Sequence, residues 1–124
     1  MPEKPDFRLY KEERLRSKKL IEKVFADGST FLVYPVKVVY MDIELSGDYP
    51  AKAAFAVSKK LFKKAVDRNL IKRRMREVYR LNRHHLNEGR AGTARAIVFI
   101  YIGKEIVEYR KLEKAMVRAL TLVR

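Results

Sequence analysis

The stretch DRNLIKRRMREVYRLNR, Asp67 to Arg83, places two demands on the fold at once. On a helical wheel of about 100° per residue, Ile71, Met75, Val78 and Tyr79 fall in one arc. Lys72, Arg73, Arg76, Arg80 and Arg83 fall in another, with Asn69 in its middle. A wholly exposed helix needs no apolar stripe, and a wholly buried one cannot hold that charge. The segment therefore predicts a helix docked on a surface that the rest of the chain must supply, with its cations turned outward.

The flanking segments supply that surface. Residues 1–12, with two prolines and mixed charge, read as a loose arm. Leu15, Leu20, Ile21, Val24 and Phe25 recur at helical spacing. Asp27-Gly28 ends that helix, with Gly28 suited to a left-handed cap. FLVYPVKVVYMDI is rich in β-branched and aromatic residues and is interrupted by Pro35, so it predicts a strand to about Tyr34 and a longer one from Val36. After the turn residues ELSGDYP, AKAAFAVS predicts a strand that pairs with its predecessor as a hairpin. The basic helix starts between Val66 and Arg68, with Asp67 as N-cap, and runs to His85 or Leu86. ARAIVFIYI, the most apolar run, predicts a central strand. A last helix spans Lys104 to Leu122, with Ile106, Val107, Tyr109, Leu112, Met116, Val117 and Leu120 inward. The sum is one α+β domain over residues 1–124, ordered helix-strand-strand-strand-helix-strand-helix, with the helices packed on a four-stranded sheet.

Charge narrows the function. The 124 residues carry a formal net charge of +14. Lys59 to Arg83 holds eleven basic and two acidic residues, a net of +9, while the other 99 positions hold 18 basic and 13 acidic. Such a patch attracts polyanions. The bland reading is a solvated helix face, but like charges at i,i+4, as in Lys72, Arg76 and Arg80, repel, and a polyanion offsets that repulsion. Arginine forks suit phosphates and stack on exposed bases. A membrane partner is not expected, because the helix lacks the Trp, Phe and Leu face of an interfacial helix and no apolar run reaches the roughly 20 residues of a span. The N-terminus lacks the apolar core of a signal peptide and there are no cysteines, so the chain reads as soluble and cytoplasmic. Nor is a catalytic residue or metal site expected in the protein. His84-His85 point about 100° apart on a helix, and Asp42, Glu44 and Asp48 gather only around a turn. The alternatives are a ribosomal or other RNA-binding protein without cleavage activity, and a DNA-binding protein that reads base edges with this helix.

AVSKKLFKKAVDRNLIKRRMREVYR resembles the signature region of the bacterial ribonuclease P protein component. Ser58, Lys59 and Lys60 match its Ser-Lys-Lys element and Ala65-Val66 the next. Arg68 and Asn69 match the start of its Arg-Asn-Arg motif, and Ile71, Lys72, Arg73 and Arg76 its continuation. Upstream, Val24, Phe25 and Gly28 match the family's first helix, and the resemblance spans roughly residues 14–120. It departs at Leu70, which stands where the second arginine is usual, at Ile21, which fills an aromatic slot, and at LFKK, one residue longer than the usual link.

The resemblance implies a ribonuclease P protein-like, ribosomal-protein-like fold and a small partner of a catalytic RNA that removes the 5′ leader of precursor tRNA. It implies that Arg68, Asn69, Lys72, Arg73, Arg76 and Arg80, with Lys59 and Lys60, bind RNA. Ile21, Phe25, Tyr34, Val36 and Ser58 are the candidates for a leader cleft, and Mg2+ is expected through the RNA rather than bound by the protein.

Overall fold

A computed structural model describes residues 14–44, 51–83 and 93–123. The arm over 1–12, Asp48, His84, His85 and the expected end of the basic helix lie outside the described residues. In chain order the elements are α1 (Lys18–Asp27), β1 (Ser29–Val33), β2 (Val36–Glu44), β3 (Ala51–Val57), α2 (Ala65–Asn82), β4 (Thr93–Tyr101) and α3 (Tyr109–Val123). The architecture is the expected α+β arrangement of three helices on a four-stranded sheet.

The sheet order is β1-β2-β4-β3, so the expected β2–β3 hairpin does not form. β4 stands between those strands, antiparallel to β2 and parallel to β3. The cause is its composition. Ile97, Phe99 and Tyr101 bury on one face while Ala96 and Val98 bury on the other. A strand apolar on both faces belongs in the interior, with neighbours on both edges. A parallel β3–β4 pair requires a crossover, and α2 provides it. The hairpin that does form joins β1 to β2 through a turn at Tyr34-Pro35, whose peptide bond is cis.

One sheet face carries Val36, Val38, Ala53, Val57, Ile97 and Phe99 beneath α2 and α3. The other carries Val39, Ala96 and Val98 beneath α1. α1 begins three residues later than expected because Leu15 is extended. Its N–H donates to the Ala53 carbonyl at the sheet edge (2.9 Å), and its side chain joins the core with Val24. Ser17 then caps the helix, accepting from the Leu20 N–H at 3.3 Å.

Gly28 ends α1 as expected, but for another reason. Its backbone is extended (φ −77°, ψ 161°), not left-handed. A Cβ there would come within 2.4 Å of the Val24 carbonyl oxygen and 2.8 Å of that of Tyr40. The glycine lets the helix end press directly on β2.

α2 starts at Ala65, with Lys64 in the cap position, so Asp67 is not the N-cap. It lies in the first turn, where a carboxylate is favoured by the exposed N–H groups and the helix dipole. α3 starts at Tyr109 rather than Lys104 because the phenol of Tyr101 ties down the preceding segment. Its hydroxyl donates to the Glu105 carbonyl and accepts from the Val107 N–H at 3.0 Å. Burial pushes the Tyr101 pKa above its ordinary 10.0, and the Val107 hydrogen bond opposes that shift. Ile106, expected inward, is exposed, and Val117 is only half-buried. Leu112, Met116 and Leu120 are buried as expected, joined by Ala115, Ala119 and Val123.

Candidate nucleic-acid interface

α2 resolves the conflict in its sequence by facing two ways. Ile71, Met75, Val78 and Tyr79 are all buried, and the Tyr79 ring meets Phe55 and Phe99 edge-on. Burying the three aliphatic side chains contributes about 1.5–3 kcal/mol each. Repulsion between like charges at i,i+4 costs only about 0.2–0.5 kcal/mol per pair. Docking therefore wins, and the cationic face is carried at small cost. Asn69, Arg73 and Arg76 are exposed on it, and Lys72 is half-exposed.

Two arginines of the candidate set are engaged within the protein. Arg68 turns back, its Nη1 donating to the carbonyls of Phe62 (2.7 Å) and Lys63 (2.9 Å). Arg80 Nη2 donates to Glu77 Oε1 at 2.7 Å, one turn away. That pair is partly solvated and adds little stability. Arg74 lies towards the core side, where its charge slightly lowers the pKa of both Tyr101 and Tyr109 against the larger effect of burial.

Arg68 clamps a basic turn. The Phe62 N–H donates to the Ser58 carbonyl (3.1 Å), the Lys60 N–H donates to Ser58 Oγ (3.1 Å), and Phe62 is buried against the Tyr101 ring at 5.9 Å. One apolar anchor thus leaves Lys59, Lys60, Lys63 and Lys64 exposed beside the start of α2. Lys63 and Lys64 were absent from the candidate set, although they sit in the same basic run.

A second surface lies on the α1 side of the sheet. The register aligns Leu32, Lys37, Ile100 and Ala56 in one row across β1, β2, β4 and β3. The neighbouring row of Val39 and Val98 is buried with Val24 of α1, whereas Leu32 is 59% exposed and Lys37 is exposed. The helix therefore covers one row and leaves the next open. Ile21 packs half-buried beside Val24, and Phe25, one turn on, is 51% exposed. Ser58 continues the open face two residues beyond Ala56.

Two cleft candidates do not belong there. Val36 is 0% exposed and packs in the core under α2 and α3, on the far side of the sheet. Its place at the first position of β2 sends it to the face opposite Lys37. Tyr34 is exposed at the hairpin tip and turns towards α3, whose Lys111 Nζ lies 5.4 Å from its ring centroid. Leu32, Lys37 and Ile100 share the open row and were absent from the candidate set, and strand alternation reveals them once the register is known. Arg14, Arg16, Lys18, Lys19 and Lys23, all exposed, form a further basic cluster at α1.

The arrangement offers phosphate-binding cations and exposed apolar side chains. Among the described residues no group of three or more His, Cys, Asp or Glu side chains could hold a metal ion. Among them, too, no helix is long and apolar enough to cross a membrane.

Comparison with known proteins agrees with this geometry. A family model described as Ribonuclease P matches residues 9–123. The ribonuclease P protein component of Porphyromonas gingivalis is 39% identical over 123 residues, covering 97% of this chain and 89% of the relative. That of Chlorobium phaeobacteroides is 37% identical over 105 residues, covering 77% and 72%. The solved RNase P protein from Thermotoga maritima shares the fold, with a TM-score of 0.73 at 24% identity over 90% of this chain and 98% of that one. A docked basic helix, a clamped Ser-Lys-Lys turn and matches along nearly the whole chain lead to one assignment: the chain belongs to the ribonuclease P protein family.

Proposed function

We propose that this chain binds the catalytic RNA through the outward face of α2 and the turn before it, and holds the 5′ leader of precursor tRNA against the open α1 side of the sheet. As a ribonuclease P protein component it is an RNA-binding subunit of a ribonucleoprotein endoribonuclease that matures tRNA 5′ ends. In this reading the catalytic centre lies in the RNA, Mg2+ enters through the RNA, and the particle works in the cytoplasm. The observation that carries the reading is the division of α2. Its apolar stripe is spent on the core, which leaves Asn69, Lys72, Arg73 and Arg76 as an ordered array for phosphates.

For the leader, unpaired bases stack on aromatic or apolar side chains while nearby lysines follow the backbone. Phe25, Leu32 and Lys37, with Ser58 and Lys59 at the end of the open face, offer that combination. Reconstitution tests the whole reading: the protein is mixed with a cognate catalytic RNA and precursor tRNA at low Mg2+, and leader removal should be stimulated. An unchanged cleavage rate would overturn it. Phe25→Ala should weaken precursor tRNA more than mature tRNA. Equal losses on both would remove Phe25 from the cleft.

A further inference from the structure

Tyr34 is a large aromatic side chain left 54% exposed at the end of a hairpin, and its mounting is firm. The Ile102 N–H donates to the Pro35 carbonyl at 2.8 Å. Gly103 packs so closely against this turn that a Cβ there would come within 3.1 Å of Pro35 Cβ and 3.0 Å of Tyr101 Cε1. Tyr101 in turn holds the segment leading to α3 through its hydroxyl. The tip is therefore a fixed block. Lys111 of α3 sets an ammonium 5.4 Å from the Tyr34 ring centroid. Leu32 and Lys37 lie just behind the tip on the α1 side, paired with each other across the hairpin. Apolar and cationic surface thus runs from the open row over the hairpin end to the Tyr34–Lys111 pair.

An exposed ring beside a cation suits one ligand chemistry well. A nucleobase stacks on the ring, and the adjacent phosphate meets the ammonium. We propose that Tyr34 and Lys111 form a second nucleotide site, separate from the α1 cleft, which takes an unpaired base of the leader where the strand passes beyond the cleft over the hairpin end. The net charge of +14 favours such an anionic strand over a neutral or cationic occupant. The inference rests on the leader-binding reading above.

The test uses the full chain assembled with catalytic RNA, and precursor tRNAs carrying a short or a long single-stranded leader. Tyr34→Ala should weaken the long-leader substrate about fivefold or more and spare the short one, as loss of one stacked base would. Tyr34→Phe should retain affinity, because the ring is what stacks. Lys111→Ala should weaken the long leader and lower the salt dependence of its binding, as removal of a phosphate contact does. Phe25→Ala is the internal control and should weaken both substrates. Parent-like binding of the long leader by Tyr34→Ala, with Phe25→Ala still impaired, would overturn the second site and leave the cleft standing. Equal losses by Tyr34→Ala on both leaders would also overturn it, marking the Tyr34–Lys111 contact as purely structural. If mature tRNA, measured alongside, loses as much affinity as both leader-bearing substrates with Tyr34→Ala and with Phe25→Ala, the leader-binding reading itself fails.

Discussion

Gly28→Ala is a sharp test of how α1 is seated. Two effects oppose each other. Replacing glycine restricts the unfolded chain, which stabilises by about 0.4–1 kcal/mol where the native backbone suits alanine. The observed φ of −77° and ψ of 161° do suit it. Against that, the new Cβ would stand 2.4 Å from the Val24 oxygen, 2.8 Å from the Tyr40 oxygen and 3.2 Å from Val39 Cγ1. Two of these neighbours are backbone, so no flexible side chain can swing away. Relief requires the end of α1 to lift from β2. Overpacking costs about 1–3 kcal/mol. Weakening the Gly28 N–H to Val24 carbonyl bond, now 2.8 Å, costs about 0.5–1.5 kcal/mol more. The net expectation is a loss of about 0.5–4 kcal/mol, read from urea and thermal unfolding followed by circular dichroism. For a chain of this size each kcal/mol corresponds to roughly 3–6 °C in Tm. Gly28→Asn separates the two explanations for the glycine. A left-handed cap tolerates asparagine better than alanine, whereas the steric account has both residues clashing through the same Cβ. A Gly28→Ala protein as stable as the parent, or an asparagine variant clearly better than the alanine one, would refute the reasoning.

Other residues make separable predictions. Arg73→Ala should leave the unfolding midpoint unchanged, weaken RNA binding and lower the salt slope by about 1, and an unaltered slope would remove Arg73 from the phosphate contacts. Arg68→Ala should differ from it by costing about 1–2 kcal/mol of stability, since the carbonyls of Phe62 and Lys63 lose their donor. A parent-like melt would show that the clamp contributes nothing. Tyr101 carries a pH signature. Its folded pKa is raised above 10.0, so its contribution is complete below pH 10 and is lost as pH rises through the folded value. Tyr101→Phe should be less stable than the parent at neutral pH, where the hydrogen bonds to Glu105 and Val107 are missing, and the gap should narrow above pH 10. A constant gap in denaturant midpoint across that range would count against the account.

Local periodicity carried most of the fold. The apolar stripe of α2 was legible residue by residue, because Ile71, Met75, Val78 and Tyr79 must share a side at helical spacing. The break at Pro35 and the central place of β4 were legible for the same kind of reason. What local pattern lacks is pairing. β2 and β3 are neighbours in sequence, and short connections favour neighbours in space. The gain from burying both faces of Ile97, Val98 and Phe99 outweighed that tendency and drew β4 between them. The start of α3 failed similarly. Residues 104–108 hold Ile106 and Val107 at plausible helical positions, but the hydroxyl of Tyr101, six residues upstream at the end of β4, takes the Val107 N–H, a side-chain bond that apolar periodicity does not encode, and holds the segment in another shape.

The candidate interface divides along the same line. In sequence, Arg80 is indistinguishable from Arg73 and Arg76, since all three fall in the basic arc of one wheel, while Arg68 falls among the apolar positions and is nominated by the resemblance alone. Their partners separate them. Arg80 stands one turn from the single glutamate of the helix, and Arg68 stands over the carbonyls of a turn whose shape depends on Phe62 finding Tyr101. Val36 and Lys37 divide by parity alone. A strand beginning at Val36 sends even positions under α2 and α3 and odd positions towards α1, and a one-residue slip would exchange them. Charge and apolarity can therefore nominate residues for an RNA surface, while the register and the internal partners decide which of them remain available to it. On the proposed reading the array is Asn69, Lys72, Arg73 and Arg76, and the open row behind α1 is built on Lys37 and Leu32 rather than on Val36.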